Sequence, residues 1–360
     1  MAIQSQISVT MSYKINRICM KVMPIALLLL LLQPVFAQYN FAELDETLKQ
    51  NQKLLGNNVA AIVWKGDTIV YKKELGDFNA KTAAPLASAS KWLTAALVMM
   101  FVEEGKIGLD DKITKWLPEY ARYGKNYITI RLCLSHMTGI QQDEKLIARI
   151  FERKKFSSLE DEVNSFAARE IQTNPGTEFR YGDIGIDIAG RVLEVVSKKR
   201  FDLLIRQKLF VPLGMRRTTF SDMEGGAVNP SGGAQSTAED YIKFLAMLLH
   251  KGKAGDKQLL SEESVNQLIQ ISVTPDKIKF APKNTQGYSY ALGSWVISSD
   301  ANGKTAIIAC PGLFGTLPLI DYCRDYAYII LTKTPLNEEK PQVYASIKEV
   351  VDRQFTSRCN

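Results

Sequence analysis

The stretch Pro85–Met100, PLASASKWLTAALVMM, constrains the fold more than any other part of the chain. Trp92, Leu93, Ala96, Leu97 and Met100 recur at helical spacing in an almost wholly apolar run. A helix of that composition has to lie inside a large core. Read from the sequence, it opens at or near Ser88 and ends near Glu103-Glu104-Gly105, a C-cap signature. Ser88 and Lys91 are one turn apart and share a face. A serine at the mouth of a buried helix, with a lysine one turn on, is an economical nucleophile. The helix N-terminus favours negative charge on the serine oxygen or on an incoming anion. The lysine holds a neighbouring proton acceptor in its active form or takes the proton itself. The same pair also fits an N-cap serine beside a snorkelling lysine, so the rest of the chain must decide.

The chain has 360 residues, 46% of them hydrophobic, enough for a large core in one or two lobes. Residues 1–37 stand apart. Lys14, Arg17 and Lys21 are the only charges there, the apolar run Val22–Leu32 follows, and Val35-Phe36-Ala37 puts small residues at a cleavage position. This predicts a secretory signal peptide cut after Ala37 and a periplasmic or secreted mature chain. An uncleaved anchor is the rival reading, but the apolar run is short against the roughly 20 residues of a span. Losing those three positive charges brings the net charge from +7 to +4, so the basic balance is no argument for a nucleic-acid partner. Cys133 reads as a buried free thiol, and one bridge is permitted among Cys310, Cys323 and Cys359. No cysteine pair has zinc-site spacing and the only histidines are His136 and His250, so neither a metal nor another cofactor is expected.

Strand-like segments gather at the two ends. Asn57–Trp64 and Thr68–Lys73 read as a hairpin after a helix over Phe41–Lys53. Tyr288–Ser298, with Gly293 as a bulge or close approach, Thr305–Cys310 and Tyr326–Lys333 read as strands before a helix over Glu338–Phe355. Pro311–Leu319 reads as a loop. Between them the chain is helical. One helix is expected after Asp110 or Asp111, a second is capped by Thr129 and closed by Thr138-Gly139, and polar helix fills Gln141–Asn174. Tyr181 and Asp183 stand at the mouth of an apolar helix over Ile184–Val196. A helix over Phe201–Leu209 is stopped at Pro212-Leu213-Gly214, and Ser236 with Glu239 has capping-box spacing. The architecture expected is α/β (α+β): one antiparallel sheet built from about 40–85 and 280–360, with flanking helices and an inserted helical lobe over about 88–275. Residues 38–360 would form a single domain, whose cleft joins Ser88, Tyr181 and the loop after Thr305–Cys310. His136 reads as a helix-end residue packing a turn.

Six segments in order match one known pattern. Ser88-Ala89-Ser90-Lys91 resembles Ser-x-x-Lys. Tyr181-Gly182-Asp183 resembles Tyr-x-Asn, and Leu134-Ser135-His136-Met137-Thr138-Gly139 resembles a structural Leu-Leu-Ser-His-Thr-Ser-Gly segment. Pro212-Leu213-Gly214-Met215, Gly232–Asp240 and Tyr290–Trp295 match further landmarks. The chain thus resembles the penicillin-recognising serine hydrolases, in the branch that holds class C beta-lactamases, D-Ala-D-Ala carboxypeptidases, D-aminopeptidases and related esterases. The resemblance runs from about Phe41 to the last helix. It implies a beta-lactamase/transpeptidase-like fold, Ser88 as acylated nucleophile, Lys91 and Tyr181 as its partners, and Asp183 as a supporting group. It also implies an oxyanion hole at the backbone N–H groups of Ser88 and Leu313.

The third element departs from that pattern. Where Lys-Thr-Gly or His-x-Gly is expected, the chain reads Cys310-Pro311-Gly312. The glycine stays, while the side chain that would receive a substrate carboxylate is lost. The expectation is therefore an exported serine hydrolase acting on a small ester, amide or peptide, with esterase or peptidase chemistry ahead of beta-lactam hydrolysis. A binding protein or pseudoenzyme on the same scaffold, and a cell-wall carboxypeptidase or weak beta-lactamase, are the rivals. A cysteine enzyme using Cys310 is a further one, silenced by a bridge to Cys323.

Overall fold

Runs rich in Val, Ile and Ala from the two ends of the chain pair with one another. The computed structural model describes residues 39–141, 155–220, 226–334 and 340–359; the unit 41–360 carries the fold. Helix α1 (Ala42–Gln50) buries Leu44 and Leu48 one turn apart. Strands β1 (Val59–Lys65) and β2 (Thr68–Leu75) turn back at Gly66, whose φ of 60° suits a tight hairpin. The middle of the chain adds only short strand pieces: β3 (Ala84–Pro85), β4 (Phe179–Arg180), β5 (Gln235–Ser236), β6 (Lys253–Ala254), β7 (Lys257–Gln258) and β8 (Ile278–Phe280). Late in the chain come β9 (Ser289–Tyr290), β10 (Trp295–Ser299), β11 (Thr305–Ala309), β12 (Leu317–Asp321) and β13 (Tyr326–Thr332).

The main sheet is seven-stranded, in the order β2-β1-β13-β12-β11-β10-β9, with every pairing antiparallel. The first and last parts of the chain meet along β1 and β13, from Val59 opposite Thr332 to Lys65 opposite Tyr326. All of β13 is buried, which requires cover on both faces of the sheet. Helix α2 (Ser90–Glu103) is buried at every position from Ser90 to Phe101. Helices α3 (Ile130–Leu134), α4 (Leu159–Ala167), α5 (Ile184–Ser197), α6 (Ala238–Leu249) and α7 (Glu262–Ile269) complete the inserted lobe, and α6 packs on β1, β12 and β13. The last helix, α8 (Lys340–Asp352), packs against α1. This is a beta-lactamase/transpeptidase-like arrangement. A disulfide between Cys323 and Cys359 ties the C-terminal tail to the β12–β13 turn. Cys133 and Cys310 are free and buried.

Local boundaries differ from the sequence reading for identifiable reasons. Ser88 is not the first residue of α2: it lies in a 3-10 turn, Ala87–Ala89, that leads into it. The helix expected after Asp111 is a 3-10 turn, Ile113–Lys115, and a short helix, Glu119–Arg122, divided around Pro118. Thr129 does cap α3, accepting from the Leu132 N–H, but the helix ends at Leu134, because His136 turns left-handed at φ 55°. Of the polar region expected over 141–174, residues 142–154 lie outside the described residues, and α4 is the helical part that is seen. The helix read over Phe201–Leu209 does stop at Pro212-Leu213-Gly214. A π-helical stretch, Arg206–Phe210, precedes that stop, and the helix closes at Gly214, φ 66°. The cap of α6 is Thr237, accepting from Asp240 N–H, and not Ser236. The segment read as the loop Pro311–Leu319 contains the start of β12, whose Pro318 disguised a strand.

Gly293 is the close approach that its position implied. Its φ is 79°, and a Cβ there would lie 2.8 Å from the Ala95 Cβ and 2.9 Å from the Lys91 carbonyl. The sheet thus seats on α2 directly behind Lys91. Gly293→Ala should destabilise the protein by about 2 kcal/mol or more in urea unfolding, through the left-handed backbone and the clash combined. A change below about 0.5 kcal/mol would show that the seat is loose.

Candidate active site

The site grows from the N-terminal end of α2. Ala87 is held at φ 46°, an unfavourable conformation for a residue with a Cβ, costing about 1 kcal/mol. It is braced on both sides. The Leu86 N–H donates to the Ala234 carbonyl at 2.8 Å, and β3 pairs with β5. The Ala234 N–H donates to Ser90 Oγ at 3.0 Å. These bonds hold Ser88 at the surface of α2 while Lys91, one turn on, is only 1% exposed.

A buried ammonium must be paired and hydrogen-bonded. Lys91 Nζ donates to Asp183 Oδ1 at 2.9 Å, to the Ser231 carbonyl at 2.9 Å and, more weakly, to Ser88 Oγ at 3.4 Å. Asp183 is the N-cap residue of α5, yet its side chain makes no cap hydrogen bond. Its carboxylate pairs with Lys91 instead.

Tyr181 completes the cluster. Its backbone N–H donates to the Phe280 carbonyl at 2.9 Å, and the ammonium of Lys91 sits 5.2 Å from its ring centre. The ring is set among aromatics, with Trp295 at 5.4 Å and His136 at 4.7 Å between centroids. Burial pushes the Tyr181 phenol above its ordinary value. Lys91 and a hydrogen bond with Ser88 pull the other way, while Cys310 and Asp183 add to the rise. His136 Nε2 bonds the Tyr290 hydroxyl at 2.9 Å. It therefore packs the wall behind Tyr181, as its sequence position implied.

Gly312 lies against Leu86, two residues before Ser88. A Cβ on Gly312 would fall 2.2 Å from the Leu86 carbonyl oxygen, so only glycine lets the two backbones meet. Cys310, read from the sequence as a supporting or substrate-binding residue, is buried behind Ser88. It is 2% exposed, and its Sγ–H donates to the Ser88 carbonyl at 3.2 Å and the Gly293 carbonyl at 3.4 Å. The side chain is turned into the core because β11 runs directly behind Ser88. Burial pushes its thiol up to about 12, which removes it as a nucleophile near neutral pH, and Cys323 is already bridged to Cys359.

Three residues of the site escaped the sequence reading. The Ser231 carbonyl is aimed at Lys91 because Asp187, wholly buried in the first turn of α5, accepts from the Ser231 N–H at 3.0 Å and its Oγ–H at 3.3 Å. Asn229 Oδ1 accepts from the Gly232 N–H at 2.8 Å and closes the turn. The available signals were an acid among Ile184, Ile186 and Ile188, and the Asn-Pro-Ser-Gly-Gly run that reads as plain loop.

A family model described as Beta-lactamase matches residues 43–352. The chain belongs to the beta-lactamase family. Members of this family share the fold of the penicillin-recognising serine hydrolases, which include esterases, peptidases and penicillin-binding proteins. Protein Rv1367c of Mycobacterium tuberculosis is 23% identical over 348 aligned positions, covering 75% of this chain and 86% of its own. A provisionally assigned beta-lactamase from Bacteroides dorei DSM 17855 superposes with a TM-score of 0.76 at 27% identity, covering 87% of this chain and 99% of its own. The hydrolase EstCE1, described as having promiscuous acyltransferase activity, shares the fold at a TM-score of 0.69 and 19% identity, covering 86% of this chain and 100% of its own.

The two free thiols among the described residues give a direct check on the geometry. Cys133 and Cys310 should resist iodoacetamide in the folded protein at neutral pH and alkylate fully in urea, as read by peptide mass mapping. Rapid labelling of Cys310 in the folded state would contradict its seat against the Ser88 carbonyl.

Proposed function

We propose that the protein is a serine hydrolase that forms an acyl-enzyme at Ser88 on a small, neutral ester or amide. The observation that carries this reading is the convergence of Ser88 Oγ and the buried Lys91 ammonium, from one segment, with Tyr181 from another. A structural lysine does not need a serine hydroxyl and a tyrosine ring at the same point.

The chemistry follows from the charges. Lys91 carries its proton against Asp183, so the proton acceptor is the Tyr181–Lys91 pair after it has lost one proton. The Ser88 Oγ proton passes to that pair as Oγ bonds the carbonyl carbon. The same proton then goes to the leaving oxygen or nitrogen as its bond to that carbon breaks. Water reverses the sequence, giving its proton to the pair and freeing the acid and Ser88. The N–H groups of Ser88 and Leu313 receive the oxyanion, a role supported by the contact of Gly312 with Leu86. With a buried thiol at position 310, that position offers no cation to a substrate carboxylate. A neutral carbonyl compound suits the site better than penicillin. Residues 1–37 lie outside the described residues. We read them as an export signal, which N-terminal sequencing of the mature protein would check. Among the described residues no helix is long and apolar enough to cross a membrane.

A fluorophosphonate should add once to the mature protein by intact mass, and Ser88→Ala should abolish the adduct; an unreactive parent would overturn the enzyme reading. Labelled penicillin should give little or no adduct under the same conditions. For ester turnover, kcat/KM should climb with pH as the Tyr181–Lys91 pair loses its proton. Asp183 adds to the rise of the Tyr181 phenol, so Asp183→Asn should move that climb to lower pH. A shift to higher pH would place the base elsewhere.

A further inference from the structure

A groove of about 410 Å³ runs beside α8, on the sheet. Small-molecule sites begin at roughly 300 Å³, and a single water needs far less. The floor of the groove is one cross-strand row, Trp295, Ala309, Leu319 and Tyr328, each paired with the next across β10 to β13. The void has a cause in the sequence. Ala309 stands in the middle of that row between larger side chains, and Ala345, on the adjoining flank of α8, leaves the space above unfilled.

The wall is mainly hydrocarbon and aromatic, with Asn284, Lys348, Glu349 and Asp352 among its lining residues. Tyr328 is 1% exposed, and its hydroxyl has no hydrogen-bond partner among the described residues. Neighbouring tyrosines are satisfied: Tyr344 donates to the Gly315 carbonyl, and Tyr326 donates to Asp352 Oδ1 at 2.6 Å. A buried hydroxyl without a partner is costly and uncommon. Burial and the nearby Asp352 carboxylate hold the Tyr328 phenol above its ordinary value, so it remains a donor. The cation at the groove's edge is already engaged. Lys348 Nζ pairs with Asp352 Oδ2 at 2.7 Å and with Asp321 Oδ2 at 3.2 Å. The groove therefore offers an anion little, and it offers a neutral acceptor one buried donor in an apolar channel.

We propose that this groove binds an aliphatic chain carrying a neutral carbonyl, an ester or amide, whose oxygen accepts from Tyr328. The site adjoins the proposed catalytic groups. Trp295 lines the groove and packs on Tyr181, and Pro311, which also lines it, precedes Gly312. The occupant is therefore either the substrate's own chain or a separate ligand of the same chemistry. Binding does not depend on turnover at Ser88.

The test is calorimetric titration of N-decylacetamide into the full-length mature protein carrying Ser88→Ala. Saturable binding is expected, weakened about tenfold by Ala345→Trp, which obstructs the groove, and about threefold or more by Tyr328→Phe. Ala345 is exposed, so the larger side chain should leave the melting temperature unchanged; Ala345→Leu serves as the milder obstruction. No saturable heat in the parent, or equal affinity in the parent and both obstructed variants, would overturn the proposal. Turnover of p-nitrophenyl acetate and octanoate by the Ser88 protein separates the two sources. A preference for octanoate that Ala345→Trp abolishes, with acetate unaffected, identifies the substrate's chain. Binding of the amide without any chain-length effect identifies a separate ligand. Failure of all ester turnover would sink the proposed activity and leave the calorimetric result standing.

Discussion

The buried charge of Lys91 sets the terms for the rest of the molecule. At 1% exposure it has almost no water, so the protein must supply its counter-ion and its acceptors. Asp183 supplies the first, from the mouth of α5, and Ser231 supplies a carbonyl from a turn that Asn229 and Asp187 hold shut. Two segments far apart in sequence, the start of α5 and the 229–232 turn, are thereby fixed relative to α2. The same demand explains why Asp183 abandons capping: an N-cap bond is worth about 1 kcal/mol, whereas an unpaired buried ammonium costs several. Folding and site formation are in this sense one event, since α5 cannot dock without delivering the carboxylate.

Backbone contacts do the remaining positioning, and glycine makes them available. Gly293 admits the sheet to the back of Lys91, Gly312 brings its loop against Leu86, and Gly185 lets α5 lie on α3, where a Cβ would meet the Cys133 carbonyl at 2.3 Å. Each contact replaces a side-chain layer with direct backbone packing. That sets the spacing between Ser88, Tyr181 and the Gly312 loop more rigidly than flexible side chains would.

The sequence disclosed the fold class and the groups of the site because both rest on short-range signals. The period of α2, the alternation of the late strands and the ordered Ser-x-x-Lys and Tyr-x-Asp segments are local. What it hid was long-range. Pro318 made β12 look like loop because its lack of an N–H is weighed locally, whereas β12 is fixed by pairing with both β11 and β13. Ser231 was illegible because a carbonyl oxygen carries no side-chain signature and its role is set by Asp187, forty-odd residues earlier. The segment that holds Cys310 was legible from spacing, whereas the burial of its thiol against the Ser88 and Gly293 carbonyls was not, because packing between distant parts of the chain sets it.

The orientation of Cys310 changes the electrostatic character of the whole site. A lysine at that position would add a second positive charge beside Lys91 and draw anionic substrates; the buried neutral thiol adds none and instead steadies the Ser88 carbonyl. Lys91 is balanced by Asp183, so the cluster of Ser88, Lys91, Tyr181 and Asp183 is close to neutral before any proton is lost. The groove beside α8 repeats the pattern, with Lys348 held by two carboxylates and an unpaired hydroxyl as its buried donor. Both features favour recognition through hydrogen bonds to an uncharged carbonyl and through apolar contact. An ion entering either place would leave its hydration shell without gaining a free counter-ion, so sites built this way would select against charged analogues by desolvation.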